Sequence, residues 1–292
     1  MPGDSKVWIL IIIIFVLICL IIFVVFESKG YKTVSYSLYS DKFSGDNLKI
    51  AFLADLHNKD FGNYNEALIH TIDDFKPDIV CFSGDMVTSG WDVSFDYSHT
   101  LKFIEKLSAK YPIYYSPGNH EDKFDVERDK FPYQYDELVS ELNRMKVCYL
   151  DNKSVRLDNF PVRIYGLRLP HSYFNKLHPG EISCDLLNDA LGAPDKECFS
   201  LLLAHDPRHF DQYAEWGADL TLSGHVHGGI VSLPFIGGVI APGMRLFPKY
   251  DAGLFTDKES LMILTRGIGS HFIPIRINNK AEVVFINISK EK

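Results

Sequence analysis

The chain opens on an unbroken apolar run: every residue from position 7 to position 26 is apolar, and no comparable run follows. About 20 apolar residues at 1.5 Å rise cross a bilayer core, so this run predicts a membrane-spanning helix. A cleaved secretory signal has a shorter apolar core, about 7–15 residues, and ends at a small-residue site. Here the run ends Val24-Val25-Phe26-Glu27-Ser28, without such a site. A buried core helix would carry a polar face, and this one carries none. Trp8 suits an interfacial anchor. The flanking charges, Asp4 and Lys6 before the run and Glu27, Lys29 and Lys32 after it, leave the orientation open.

After the run the pattern changes period. Alternation over Val34-Ser35-Tyr36-Ser37-Leu38 predicts an edge strand. Short apolar stretches at 48–54, 78–83 and 113–116 read as buried strands. Helical periodicity fills 65–75, 97–109 and 133–145. Further strands are expected at 147–150, 162–167, 200–204, 220–223, 261–265 and 283–288. Strand–helix alternation in the first half implies right-handed crossovers and a largely parallel sheet. The strand-rich second half implies a second sheet packed on the first. No repeat and no Pro/Ser-rich linker interrupts the chain. The expected organisation is an anchor over 1–29 and one catalytic domain over 30–292.

Composition narrows the class. Of 292 residues, 46% are hydrophobic and 23% charged, which fits a globular enzyme and excludes disorder. A net charge of −8 argues against a nucleic-acid partner, because phosphate neutralisation needs clustered Lys and Arg. The five cysteines form no C-x-x-C pair. Cys81 falls in a strand pattern and reads as core. Cys184 and Cys198 flank a loop-like stretch, and the sequence is compatible with either a bridge or two thiols.

The chemistry gathers just after the strands. Strand 48–54 runs into Asp55-Leu56-His57, and strand 78–83 into Gly84-Asp85. Strand 113–116 leads to Gly118-Asn119-His120-Glu121, strand 200–204 to His205-Asp206, and strand 220–223 to Gly224-His225-Val226-His227-Gly228-Gly229. Ligands of α/β sheets bind beyond the carboxyl ends of strands. Singly, an Asp after a strand is more often a helix cap, a Gly-Asn-His more often a turn, and a His-x-His more often two surface residues. Five strand ends delivering Asp, Asn and His together form an N/O donor set that suits Mn, Fe or Zn and lacks the thiolates of a structural zinc site. Asp55 and His57 stand two apart, as do His225 and His227, so extended backbone would turn each pair into one pocket.

This set of motifs resembles the calcineurin-like metallophosphoesterase family, and the His225-Val226-His227-Gly228-Gly229 and Thr265-Arg266-Gly267-Ile268-Gly269 segments resemble its membrane-anchored bacterial branch. The resemblance implies a four-layer αββα sandwich with two divalent ions at the strand ends. It implies that Asp55, His57 and His227 hold one ion, that Asn119, His205 and His225 hold the other, and that Asp85 bridges them. His120 takes the place of the family's catalytic histidine. The implied activity is hydrolysis of a phosphodiester or pyrophosphate. The implied partners are the membrane and a phosphorylated small-molecule or lipid-linked substrate; some anchored relatives cleave a UDP-linked acylated sugar. A single-pass location follows, with the extracytoplasmic side favoured by the resemblance. A protein-binding scaffold on the same fold is the alternative, but such relatives lose ligands and all eight matched positions are intact here. Protein phosphatases of this superfamily carry an Asp where Thr88 stands and two clamping arginines that are absent here, which disfavours phosphoprotein substrates. Ile230, where the anchored branch has Gln, is a departure beside the site.

Overall fold

The computed structural model describes residues 2–43, 47–90, 96–174, 180–229, 232–233, 237–241, 245–270 and 276–290. Helix α1 runs Pro2–Ser28. Its stretch Lys6–Ser28 is long and apolar enough to cross a membrane, and none of it is buried against the rest of the chain. The reading as a core helix is thereby excluded. After Lys29 and Gly30, strand β1, Tyr31–Tyr39, begins.

Two six-stranded sheets make the body of the protein. The first contains β1, β2 (Leu48–Leu53), β3 (Ile79–Ser83), β4 (Ile113–Ser116), β5 (Cys148–Tyr149) and the last strand, β16 (Ala281–Ser289), in the order β1-β16-β2-β3-β4-β5. The second contains β6 (Lys153–Arg156), β7 (Val162–Leu167), β8 (Phe199–Ala204), β9 (Leu220–Ser223), β14 (Gly253–Asp257) and β15 (Ser260–Leu264), in the order β14-β15-β9-β8-β7-β6. Between β9 and β14 lie two short antiparallel pairs. One joins β10 (Ser232–Leu233) to β11 (Gly237–Gly238), and the other joins β12 (Ile240–Ala241) to β13 (Arg245–Leu246). The helices are α2 (Glu66–Phe75), α3 (Ser98–Ser108), α4 (Asn119–Val126), α5 (Gln134–Arg144), α6 (Cys184–Leu191) and α7 (Phe210–Trp216).

Three apolar layers hold four structural ones. Strand β2 is apolar at nearly every position, yet its pleat still sorts side chains with period 2. Ala51 and Leu53 face outward to α2, α3 and α5, packing with Leu68, Ile72, Phe103, Leu107 and Leu138. Ile50 and Phe52 face inward and meet Ile164, Leu201, Leu203 and Leu222 of the second sheet. That sheet's far face, with Tyr165, Leu202 and Met262, is covered by Leu187 of α6 and Phe210, Tyr213 and Trp216 of α7. The result is the αββα sandwich expected from the resemblance. Strands β2, β3, β4 and β5 are mutually parallel, as are β7, β8, β9 and β15, so both sheets present carboxyl ends at one edge.

Several elements differ from expectation. Helix α4 begins at Asn119, where a polar motif gave no apolar periodicity. Helices α6 and α7 occupy stretches read without helix, so Cys184 opens a helix rather than flanking a loop. Cys184 and Cys198 are both free thiols. Cys81 is fully buried between the sheets, as expected.

Candidate metal centre

The carboxyl edge collects the residues singled out above. Asp55 and His57 follow β2, Asp85 follows β3, Asn119 and His120 open α4 behind β4, His205 follows β8, and His225 and His227 follow β9. Donor atoms of Asp55, His57 and His227 lie within 4.8 Å of one another, as do those of Asp85, His205 and His225 and those of His57, Asp85 and His120. His227 Nε2 lies 3.6 Å from Asp55 Oδ1 and 3.1 Å from His57 Nε2. His205 Nε2 lies 3.1 Å from Asp85 Oδ2 and 3.7 Å from Asp55 Oδ1. His57 Nε2 and His120 Nε2 each lie 3.9 Å from the same Asp85 oxygen. Asp85 thus stands at the centre. Asn119 sits between Gly118 and His120, and its Oδ1 is buried with no hydrogen-bond partner among the described residues.

The local backbone corrects one expectation. Asp55, His57, His225 and His227 are not extended. Their φ angles are +54°, +49°, +72° and +53°, and Asp85 has +53°. Left-handed conformations at non-glycine residues cost of order 1–3 kcal/mol each and gather at functional sites. Sharp turns, rather than strand alternation, aim these side chains inward. Two glycines allow the crowding. A Cβ at Gly224 would overlap the Asp55 carboxylate, and one at Gly118 would overlap that of Asp85.

Hydrogen bonds fix the inner groups. The His225 N–H donates to both Asp55 oxygens at 3.0 Å, and the His120 N–H donates to Asp85 Oδ1 at 2.9 Å. His205 Nδ1 is 2.6 Å from the Ser83 carbonyl. A carbonyl only accepts, so Nδ1 carries the proton and Nε2 turns toward the carboxylates. The Ser89 backbone N–H donates to His120 Nδ1 at 2.9 Å, and its hydroxyl is 2.8 Å away. A neutral His120 therefore carries its proton on Nε2, facing the site. Thr88, in the position where protein phosphatases carry Asp, bonds His57 Nδ1 instead at 3.2 Å.

One organiser was quoted in the motif without a role. Glu121 is fully buried. Its Oε2 accepts the N–H groups of Asp85 (2.9 Å) and Gly118 (2.8 Å), and its Oε1 accepts the Val87 N–H (3.2 Å) and the Tyr115 hydroxyl (2.6 Å). One carboxylate ties the loops after β3 and β4 together. The sequence signal is half of a capping box: Glu at the third helical position accepts the Gly118 N–H, and Gly118 has no side chain to return the bond.

The electrostatics of the cluster suit a cation. Burial pushes the Asp55 carboxyl up to about 7, with Asp85 adding to the rise. Burial also opposes ionisation of Asp85, but His205, His120 and His57 hold it well below the usual carboxylate range. His205 resists charging by its burial, yet Asp85 and Asp55 lift it to about 10. Burial pushes the partly covered His225 down to about 3. Two buried carboxylates thus lean on a protonated imidazole for countercharge. A divalent cation would replace that proton, drawing on imidazole nitrogens, carboxylates and the orphan Asn119 oxygen. The donor set fits divalent ions.

Ile230 lies outside the described residues. Residues 48–229 match the family model for calcineurin-like phosphoesterases. The chain is 25% identical over 260 residues to the uncharacterized metallophosphoesterase YkuE of Bacillus subtilis, covering 88% of this chain and 83% of that one. It is 26% identical over 266 residues to the phosphodiesterase YaeI of Escherichia coli, covering 90% of each. Among solved structures, TT1561 of Thermus thermophilus superposes with a TM-score of 0.45 at 11% identity, covering 75% of this chain and 89% of that one. Motif, architecture and the extended match agree, and the chain belongs to the calcineurin-like phosphoesterase family, a metal-dependent hydrolase of phosphoric esters.

Proposed function

We propose that this protein is a membrane-anchored phosphodiesterase or pyrophosphatase with a two-ion centre, acting on a lipid-linked or envelope substrate. The observation that carries the reading is the pair of donor groups, Asp55–His57–His227 and Asp85–His205–His225, meeting around Asp85 at one sheet edge. In this reading Asp55, His57 and His227 hold one ion, Asn119, His205 and His225 the other, and Asp85 both. Mn, Fe or Zn suits the donors. When bound, the ions supply a nucleophile at neutral pH and offset charge on the phosphoryl oxygens.

The chain's own residues do the rest. His120 presents Nε2–H toward the site and donates a hydrogen bond to a phosphoryl oxygen. Ser89 holds the ring in that tautomer. Glu121 keeps Asp85 and Asn119 at a fixed separation by anchoring both loops. The apolar helix α1 tethers this apparatus to a membrane, which favours substrates that also reside there. The name of the Escherichia coli relative, a phosphodiesterase, supports the diester reading.

The test is a substrate panel on the full-length chain with Mn²⁺: a lipid pyrophosphate, a lipid phosphodiester, a nucleotide diester and an aryl phosphomonoester. The expected result is hydrolysis of a diester or pyrophosphate well above the monoester, abolished by chelation. Turnover confined to the monoester would overturn the proposal.

A further inference from the structure

The strand register places the anchor. Tyr31, the first residue of β1, pairs with Ala281 in a parallel ladder. β16 runs antiparallel to β2, with Val284 opposite Phe52. Continuing that register sets Ala281 level with Asp55. The amino end of β1 therefore lies at the carboxyl edge of the sheet, two strands from Asp55, or about 10 Å at 4.8 Å per strand. Only Lys29 and Gly30 separate β1 from α1, so Ser28 and Tyr31 stand at most about 11 Å apart. The apolar helix leaves the domain from the edge that carries the metal centre.

Hydrogen bonds support the same placement. Ser28 Oγ, at the end of α1, accepts the Arg276 N–H at 3.2 Å. The buried Arg276 guanidinium donates to the carbonyls of Arg266 and Gly267, and the Gly269 N–H donates to the Asp55 carbonyl at 2.6 Å. On the other side, the Ser232 N–H donates to the Ile277 carbonyl and Asn278 Nδ2 to the Ser232 carbonyl. Of the short strand pairs that follow His227, β10–β11 is thus fastened at Ser232 beside the helix exit, and Phe247 joins its end through the N–H bond to the Val239 carbonyl.

Those strand pairs expose apolar side chains. Outside α1, five Leu, Val or Phe residues are strongly exposed among the described residues: Val126, Leu233, Leu246, Phe247 and Leu254. Three of them lie within 232–247. Leu254 pairs with Ile263 near the same carboxyl edge. Scattered surface apolar residues need no explanation, but a group at one edge does. Phe247, 61% exposed, is held at φ +48° while its N–H bonds the Val239 carbonyl. A bulky ring in the left-handed region is costly, and most of this one faces solvent.

We infer that the metal-centre edge faces the bilayer and that Leu233, Leu246 and Phe247 dock it onto the lipid surface, so that the phosphoester attacked is carried at lipid headgroup level. This rests on the membrane anchorage proposed above. The occupant of the apolar edge is lipid, because the surface continues from the spanning helix itself.

The full-length chain is reconstituted in phosphatidylcholine–phosphatidylglycerol vesicles carrying Phe247→p-benzoylphenylalanine or, at the opposite edge in the β6–β7 turn, Asn159→p-benzoylphenylalanine. Irradiation should give acyl-lipid adducts at 247 at least about 10-fold above those at 159. Equal adducts, none at 247 in chains that float with the vesicles, or cross-links to a second copy would overturn the inference. Chains that fail to float would overturn the anchorage beneath it. In parallel, Leu246→Glu with Phe247→Glu should lower hydrolysis of a vesicle-borne lipid phosphodiester about 10-fold and leave a soluble aryl diester unchanged. Equal losses, or none, would contradict the docking role. Absence of any hydrolysis by the unmodified chain would count against the phosphoesterase reading, while the lipid adducts still decide the orientation.

Discussion

Glu121→Gln probes how the site loops are held. The carboxylate takes four donors, two on each oxygen, at 2.6–3.2 Å. An amide has one acceptor oxygen, so its NH₂ must face one of the two pairs. The least costly arrangement keeps the oxygen on the Asp85 and Gly118 N–H groups and lets the Tyr115 hydroxyl rotate to accept. The Val87 N–H is then buried against another donor, a loss of about 1–3 kcal/mol, and the remaining bonds lose their charge assistance. Relief of carboxylate burial, which together with Asp85 pushes Glu121 above its usual range, offsets part of this. A net cost of about 2–3 kcal/mol lowers Tm by roughly 4–10 °C for a domain of this size. Tyr115→Phe removes one donor and leaves three, costing about 1 kcal/mol. The assay is thermal unfolding of both variants with metal removed, then Mn²⁺ binding to each. Glu121→Gln should weaken Mn²⁺ by about 10-fold or more through displacement of Asp85. A Glu121→Gln protein that melts within about 1 °C of the unmodified chain and binds Mn²⁺ equally well would refute the argument.

Other consequences follow from the same geometry. His120→Ala should retain metal and lose about 10²–10⁴-fold in turnover, checked by elemental analysis beside steady-state kinetics; loss of metal instead would make His120 a ligand. His205 is raised to about 10 in the ion-free chain by Asp85 and Asp55 acting against its burial. It is therefore protonated at pH 8, and an ion taking its Nε2 must release about one proton per chain. Calorimetry of Mn²⁺ binding in buffers of different ionisation enthalpy measures this release, and affinity should fall as pH falls. Arg168 bonds Asp122 at 2.6 Å, Asp125 at 2.7 Å and Asp151 at 3.0 Å, linking α4 to both sheets. Arg168→Met strands the buried Asp122 and should cost about 3 kcal/mol, read by denaturant unfolding.

Much of this was legible in the chain because chemistry and hydrophobic pattern coincide. The buried strands are short continuous apolar runs, and each ends where an Asp, Asn or His begins, so strands and ligands were found together. Three things were hidden. The polar run Asn119-His120-Glu121-Asp122 carries no apolar face, because the first turn of α4 is presented to the site, and the helix joins the core through Phe124 beyond it. The C-terminal strand β16 inserts between β1 and β2, a pairing across more than 200 residues that no local pattern encodes. The left-handed backbone at Asp55, His57, Asp85, His225 and His227 leaves little trace in residue type, since Asp and His, though enriched at positive φ, adopt negative φ far more often. The partner of His120 was displaced by one: position 88 serves His57, and the backbone of Ser89 serves His120.

The central claim is a pair of divalent ions gathered by this edge around Asp85. Elemental analysis of the full-length chain and of Asp85→Asn, each stripped with chelator and reloaded with Mn²⁺, tests it most directly. The account predicts two ions per unmodified chain, phosphodiesterase activity returning in step with loading, and loss of at least one ion with Asp85→Asn. Activity that survives complete metal removal, or full loading of Asp85→Asn, would contradict it.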